Sequence, residues 1–205
     1  MKLYSFSGSC ALATNIVLAW IDQPYEVQLI EKDDLAKPEM RRLNPLGKVP
    51  ILEDEGRVLY ENASVLHYLA EKFPAAKLNG DGSLWSHAEV NRWLAIINAD
   101  VHPAYKPLFG ATAYLDDEAA VQKTRDHARA ELRQYFEFFD THLGQQDWLA
   151  GMRSIADPYL FVTVNWTHFV HVDISGLDHL KGFEQRMRAD AGVQRALKEQ
   201  KLAAA

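Results

Sequence analysis

The chain has 205 residues, 48% of them apolar, and a net charge of -6 at pH 7. That balance describes a globular protein of one or two domains with a sizeable core, and it gives no reason to expect nucleic acid or an anionic membrane as a partner. One cysteine, Cys10, rules out an intrachain disulfide, and no apolar run approaches membrane-spanning length. The N-terminus makes a poor signal peptide, so a reducing, cytoplasmic setting is expected.

Lys2-Leu3-Tyr4-Ser5-Phe6 alternates apolar and polar side chains and predicts a strand. Ser7-Gly8-Ser9 supplies turn and cap chemistry. Leu12, Ile16, Val17 and Trp20 then share one helical face, which ends near Asp22-Gln23-Pro24. Tyr25, Val27 and Leu29 alternate again, so the opening predicts a parallel β-α-β unit. Residues 31–43 are polar, with at most a short helix starting near Pro38. Val49–Leu52 and Val58–Tyr60 flank Glu53-Asp54-Glu55-Gly56-Arg57, a hairpin signal with its glycine late in the loop. Ala63 to Phe73 reads as a helix stopped by Pro74. This order matches a thioredoxin-like domain with a mixed four-stranded sheet and helices on both faces.

Asn79-Gly80-Asp81-Gly82-Ser83 reads as part of an interdomain linker, residues 76–84. Beyond it the period-2 signal fades. Trp93, Leu94, Ile97 and Val101 mark one helix, and Val121, Ala128, Leu132, Tyr135, Phe136, Phe139 and Leu143 a long second one. Residues 155–172 are apolar enough for a helix buried nearly all round. Shorter helices are expected around 178–189 and 192–200, and the final alanines are expected to fray. The predicted fold is therefore α+β, with residues 1–75 forming the sheet domain and 85–205 an all-helical domain.

Several residues carry possible chemistry. Pro50 sits where a strand should begin, and a proline cannot donate to a ladder. The Val49 backbone is thus expected to stay free for a partner outside its own sheet. Glu61 and Asn62 open the helix that follows. Helix N-termini bind anions, and a carboxylate beside one meets a cation. Together the two features predict a site for a small zwitterionic peptide, with Glu61-Asn62-Ala63 gripping its amino-acid end; a simple capping pair is the plainer alternative. Cys10 falls at the first turn of a helix, where the dipole and free N–H groups favour a thiolate and lower the thiol pKa. Packing as a small hydrophobe is its alternative. Ser5, Ser7 and Ser9 suit turn and cap roles, with hydroxyls able to donate to a thiolate.

His102 precedes Pro103, with Pro107 beyond, so the helix around Val101 must kink there. It is a candidate ligand donor or a satisfied structural group. His168 and His171 are spaced for a metal but lack a third ligand, so no metal is expected. Ser154-Ile155-Ala156-Asp157 resembles a capping box; Ser154 or Asp157 is the cap, and the second choice puts Pro158 at the favoured first position. Lys32, Lys37 and Lys48 are candidates for a terminal carboxylate, or solvated surface.

Set in order, Met1-Lys2-Leu3-Tyr4, Gly8-Ser9-Cys10, Asn44-Pro45-Leu46-Gly47-Lys48-Val49-Pro50, Glu61-Asn62-Ala63 before Tyr68-Leu69, Val101-His102 with Pro107-Leu108-Phe109, and Ser154 to Asp157 form a pattern. Through it the chain resembles the cytosolic glutathione transferase family along its whole length, and the bacterial beta class most closely. The resemblance implies a homodimer, a cis-Pro50 whose neighbour Val49 pairs with the cysteinyl part of glutathione, and a γ-glutamyl end held by Glu61 and Asn62. It implies Cys10 and His102 near the sulfur, with Cys10 able to form a mixed disulfide. Ala11, Thr14-Asn15, Asn62 and Pro103 depart from residues common in the family.

The implied activity is attack of glutathione thiolate on hydrophobic electrophiles, alongside glutathione-dependent disulfide or peroxide reduction. Its residues would be Cys10, His102 and Ser9 for catalysis, Lys32, Lys48, Val49, Pro50, Glu61, Asn62 and Ala63 for glutathione, and Tyr105, Phe109, Tyr114 and Trp166 for the electrophile. Glutathione would be co-substrate, without metal. The alternatives are a thiol-disulfide oxidoreductase working through Cys10, and a non-catalytic binding protein of the same fold.

Overall fold

A computed structural model describes residues 1–202; the final alanines, 203–205, lie outside the described residues. Strand β1 (Lys2–Ser5) pairs in parallel with β2 (Glu26–Leu29) and antiparallel with β3 (Ile51–Asp54), which forms a hairpin with β4 (Arg57–Tyr60). The order β2-β1-β3-β4 is the mixed four-stranded sheet expected from the sequence.

Alternation along the strands distributes their side chains to two faces. Leu3 and Leu52 join the main core with α1 (Ala11–Ile21) and α3 (Asn62–Lys72). Tyr4 and Ile51 point the other way, toward Leu35 and Met40 of a 3-10 turn (Lys32–Ala36) and α2 (Pro38–Leu43). Helix α1 is buried along nearly its whole length, because α7 (Ala156–Val170) and α9 (Ala191–Glu199) cover the side that the sheet and α3 leave open.

The second half is helical. Helix α4 (Leu84–Ile96) is capped by the Ser83 hydroxyl and runs into a π-type turn (Ile97–Val101) and then a short α5 (His102–Ala104). The irregularity falls where Pro103 removes a helical donor, as expected. Helices α6 (Glu118–Leu143) and α8 (Asp178–Ala189) complete the bundle.

The start of α7 resolves the alternatives left open by the sequence. Asp157 lies within its first turn, and neither it nor Ser154 occupies the cap position, which Ile155 takes. The Asp157 carboxylate accepts the Ser154 N–H (2.7 Å), the Ser154 hydroxyl (3.0 Å) and the Leu149 N–H (2.9 Å). Pro158 therefore falls where a helical N–H has no intrahelical partner to lose.

Candidate active site

A cavity of about 720 Å³ separates the sheet domain from the helices. On the sheet side it is lined by the Phe6–Cys10 loop, Lys32, Lys48, Val49, Glu61 and Asn62; on the helical side by Asn98, His102, Pro103, Lys106, Phe109, Tyr159, Trp166, Phe169 and Leu202. Its size suits a small-molecule ligand site.

Val49 lies outside the ladder, since β1 meets β3 only from Ile51 onward. The Val49–Pro50 peptide is cis. The Val49 carbonyl accepts the Cys10 thiol at 3.5 Å. Cys10 sits immediately before α1, as the sequence predicts. Its pKa is another matter. Burial pushes the thiol up to about 12, with the Glu61 carboxylate adding to the effect; the Cys10 and Ala11 N–H groups and Lys48 oppose it without prevailing. The expected lowering is overturned, because desolvation of a half-buried sulfur outweighs the end of one helix.

Glu61, not Asn62, occupies the position before α3, and its side chain makes no capping bond. It holds φ at +72°, a conformation that costs a non-glycine residue and is retained where the surroundings dictate it. Asn62 is buried as the first helical residue. Its Oδ1 accepts from Thr14 Oγ1 at 2.9 Å, whereas Nδ2 faces the Tyr159 hydroxyl without completing a regular hydrogen bond. A buried amide without a full hydrogen bond beside an open cavity can serve a ligand acceptor. Thr14, one of the departures from the family pattern, is thus the residue that turns this amide.

His102 bonds through Nδ1 to the Tyr159 hydroxyl at 2.6 Å, and that hydroxyl donates to Asn98 Oδ1 at 3.3 Å. Burial, with Lys106 and Lys48 nearby, lowers the imidazole to about 4, so it is neutral at pH 7. Trp166 donates its indole N–H to the Gly8 carbonyl at 2.8 Å, tying the helical wall to the loop before Cys10. Gly8 has φ of +77°, which a side chain would resist.

The C-terminal end braces the same loop. Ser7 Oγ donates to the Gln200 carbonyl at 2.7 Å, and the Gln200 amide reaches Ser5 Oγ at 2.9 Å and Asn15 Oδ1 at 3.3 Å. Ser9 Oγ lies 3.2 Å from Ser5 Oγ within this buried network, so its hydroxyl is shared with structure.

Four expected site residues stand away from the cavity. Tyr105 is fully buried, donates to the Thr163 carbonyl at 2.6 Å and stacks behind Phe109, so it supports the wall without lining it. Tyr114 is 77% exposed and lies off the cavity. Pro50 is buried and does not line the cavity, and Ala63 packs toward the core. Phe109 and Trp166 do line the cavity, with rings edge to face at 5.2 Å. Sequence reasoning missed Asn98, Lys106, Tyr159, Phe169 and Leu202. Each lies on a helix, in the turn after α5 or at the terminus, with an ordinary structural reading, and only Asn98, one turn before His102, carried a positional hint. His168 bonds Glu184 at 2.9 Å, and no cluster of metal-binding side chains occurs among the described residues.

A thioredoxin-like sheet domain joined to an all-helical domain, with the cavity between them, is the architecture of the glutathione S-transferase class. Residues 3–77 match the glutathione S-transferase N-terminal domain, and residues 122–190 the glutathione S-transferase C-terminal domain. The chain belongs to the glutathione S-transferase family. It is 47% identical to glutathione S-transferase GST-4.5 of Xanthomonas campestris pv. campestris, over 98% of this chain and 100% of the relative. Among solved structures, a Xylella fastidiosa glutathione S-transferase superposes with a TM-score of 0.96 at 45% identity, covering 98% of this chain and 99% of the other. A sphingomonad glutathione S-transferase complexed with glutathione gives 0.87 at 28%, covering 99% and 100%.

Proposed function

We propose that the protein is a glutathione transferase, joining the thiolate of glutathione to hydrophobic electrophiles. The observation that carries this reading is Glu61: a carboxylate without a capping bond, at a left-handed position, on the same cavity as Val49 and Cys10. Glu61 takes the α-amino group, the start of α3 and the Asn62 amide take the adjoining carboxylate, and Val49 pairs with the cysteinyl backbone. Lys32 and Lys48 face the glycyl carboxylate. The electrophile lies against Phe109, Trp166 and Phe169. The sulfur attacks an electrophilic carbon, a carbon–sulfur bond forms, and the leaving group departs with its electron pair. Apposition of the two molecules supplies much of the rate.

The raised Cys10 pKa supports conjugation through the tripeptide's own sulfur over a redox cycle that needs Cys10 as nucleophile. Titration calorimetry with glutathione, followed by turnover of 1-chloro-2,4-dinitrobenzene and of hydroxyethyl disulfide, tests the reading. Binding with turnover of the first supports it; no heat on addition of glutathione overturns it. Cys10→Ala is expected to abolish any mixed disulfide, seen as a mass increment, while glutathione still binds. Loss of all binding in that variant would show that Glu61 and Val49 are not the main holdfast.

The sheet and helical units divide at residues 76–84 in this reading, and the protein works as a homodimer in a reducing compartment. Leu84 and Trp85 at the start of α4, 87% and 76% exposed, leave apolar surface that a second copy would cover. Sedimentation velocity tests this; a monomer at micromolar concentration would exclude it.

A further inference from the structure

We propose that Tyr159 is a positioning residue for thiol activation: it fixes the tautomer of His102 so that Nε2 of a neutral imidazole is the acceptor of the glutathione thiol proton. The inference rests on the reading of the cavity as a glutathione site and adds how the proton leaves.

The argument is one of counting protons. Tyr159 is about 1% exposed, and its hydroxyl stands between Asn98 Oδ1 at 3.3 Å and His102 Nδ1 at 2.6 Å. A carboxamide oxygen only accepts, and we assign the single hydroxyl proton to it. With that assignment the same oxygen accepts toward His102, and Nδ1 carries hydrogen. A neutral imidazole has one N–H. The lone pair is therefore on Nε2, which has no protein partner among the described residues. Tyr159 and Trp166 meet the ring edge to face at 5.9 and 4.9 Å, which restricts its rotation.

In the proposed step the glutathione S–H proton moves to Nε2 and sulfur keeps the bonding pair. An imidazolium forms whose Nδ1–H is still donated to Tyr159; nothing is oxidised or reduced. Five groups set the balance at this end of the cavity. Lys106, beyond α5, and Lys48, before β3, oppose a charged ring. Glu61 at the start of α3, the Cys10 thiol before α1 and the Tyr159 hydroxyl on α7 are the others. Glutathione brings two carboxylates into a cavity whose lysines disfavour imidazolium, so binding itself removes part of that opposition. The base becomes competent when the substrate arrives.

Tyr159→Phe keeps the ring and deletes the oxygen, freeing the imidazole proton to move to Nε2. Expected are a fall of about tenfold in kcat with 1-chloro-2,4-dinitrobenzene, a KM for glutathione within about twofold of wild type, and an ascending limb of kcat against pH, which reports the bound thiol, displaced upward by about one unit. An unchanged pH limb and kcat in a folded variant would overturn the proposal. Nitrogen-15 NMR of imidazole-labelled wild type decides the tautomer whether or not the variant folds: a protonated Nδ1 is expected, and a protonated Nε2 would refute it. Absence of glutathione binding by wild type would instead remove the functional reading, leaving the tautomer measurement to stand by itself.

Discussion

Asp157→Ala is expected to lower the unfolding free energy by about 3 kcal/mol, since it strands three buried donors at once. The Leu149 and Ser154 N–H groups and the Ser154 hydroxyl all point at this carboxylate, and Ser154 and Asp157 are fully buried. For a chain of this length that loss lowers Tm by about 10 °C, measurable by differential scanning calorimetry. A change under about 2 °C would show that water satisfies the donors. The pH dependence adds a second check. Burial raises the Asp157 pKa to about 6, while its backbone and Ser154 donors limit the rise. In the unfolded chain the group titrates near 3.9. The folded state thus holds the proton more tightly, and this group's stabilisation is complete below about pH 4 and lost as pH rises through 6. Asp157→Asn, which cannot ionise, is expected to lose that component: its stability deficit against wild type should shrink between pH 4 and 6.

Glu61→Gln is expected to weaken glutathione binding by about ten- to a hundredfold, the range for losing a hydrogen bond to a charged group. Stability should hardly change, because Glu61 caps nothing in the fold and glutamine keeps its shape. Calorimetric titration measures the first effect and thermal unfolding the second. The same variant removes a charge that raises the Cys10 pKa, so iodoacetamide should alkylate Cys10 somewhat faster at a given pH. Unaltered affinity would move the amino-end contact elsewhere and refute the role given to Glu61.

The sheet domain was legible because its signals are local. Alternation in Lys2–Phe6 and Tyr25–Leu29, the Gly56 turn and the stop at Pro74 each act within a few residues, and the strands form there. The irregular helix at His102 followed from Pro103 in the same way. The site was legible on the sheet side for that reason: Cys10, Val49 and Glu61 mark element boundaries. Its helical side was not. Tyr159 and Phe169 sit in a segment apolar on every face, where periodicity cannot tell a residue facing the cavity from one facing the core. Tyr105 and Tyr114 show the reverse error. Both are aromatics near His102, yet one turned inward and the other outward. At Cys10 two effects oppose each other: the helix start lowers the thiol pKa, and burial raises it by more.

Ser5 and Gln200, 195 positions apart, share a hydrogen bond under the loop that leads to Cys10, and Leu202 closes the cavity rim. At ribosomal speeds of about 5–20 residues per second, the interval between making the one and the other is roughly ten to forty seconds. Through that whole interval the loop before Cys10 lacks the brace that the C-terminal segment gives it.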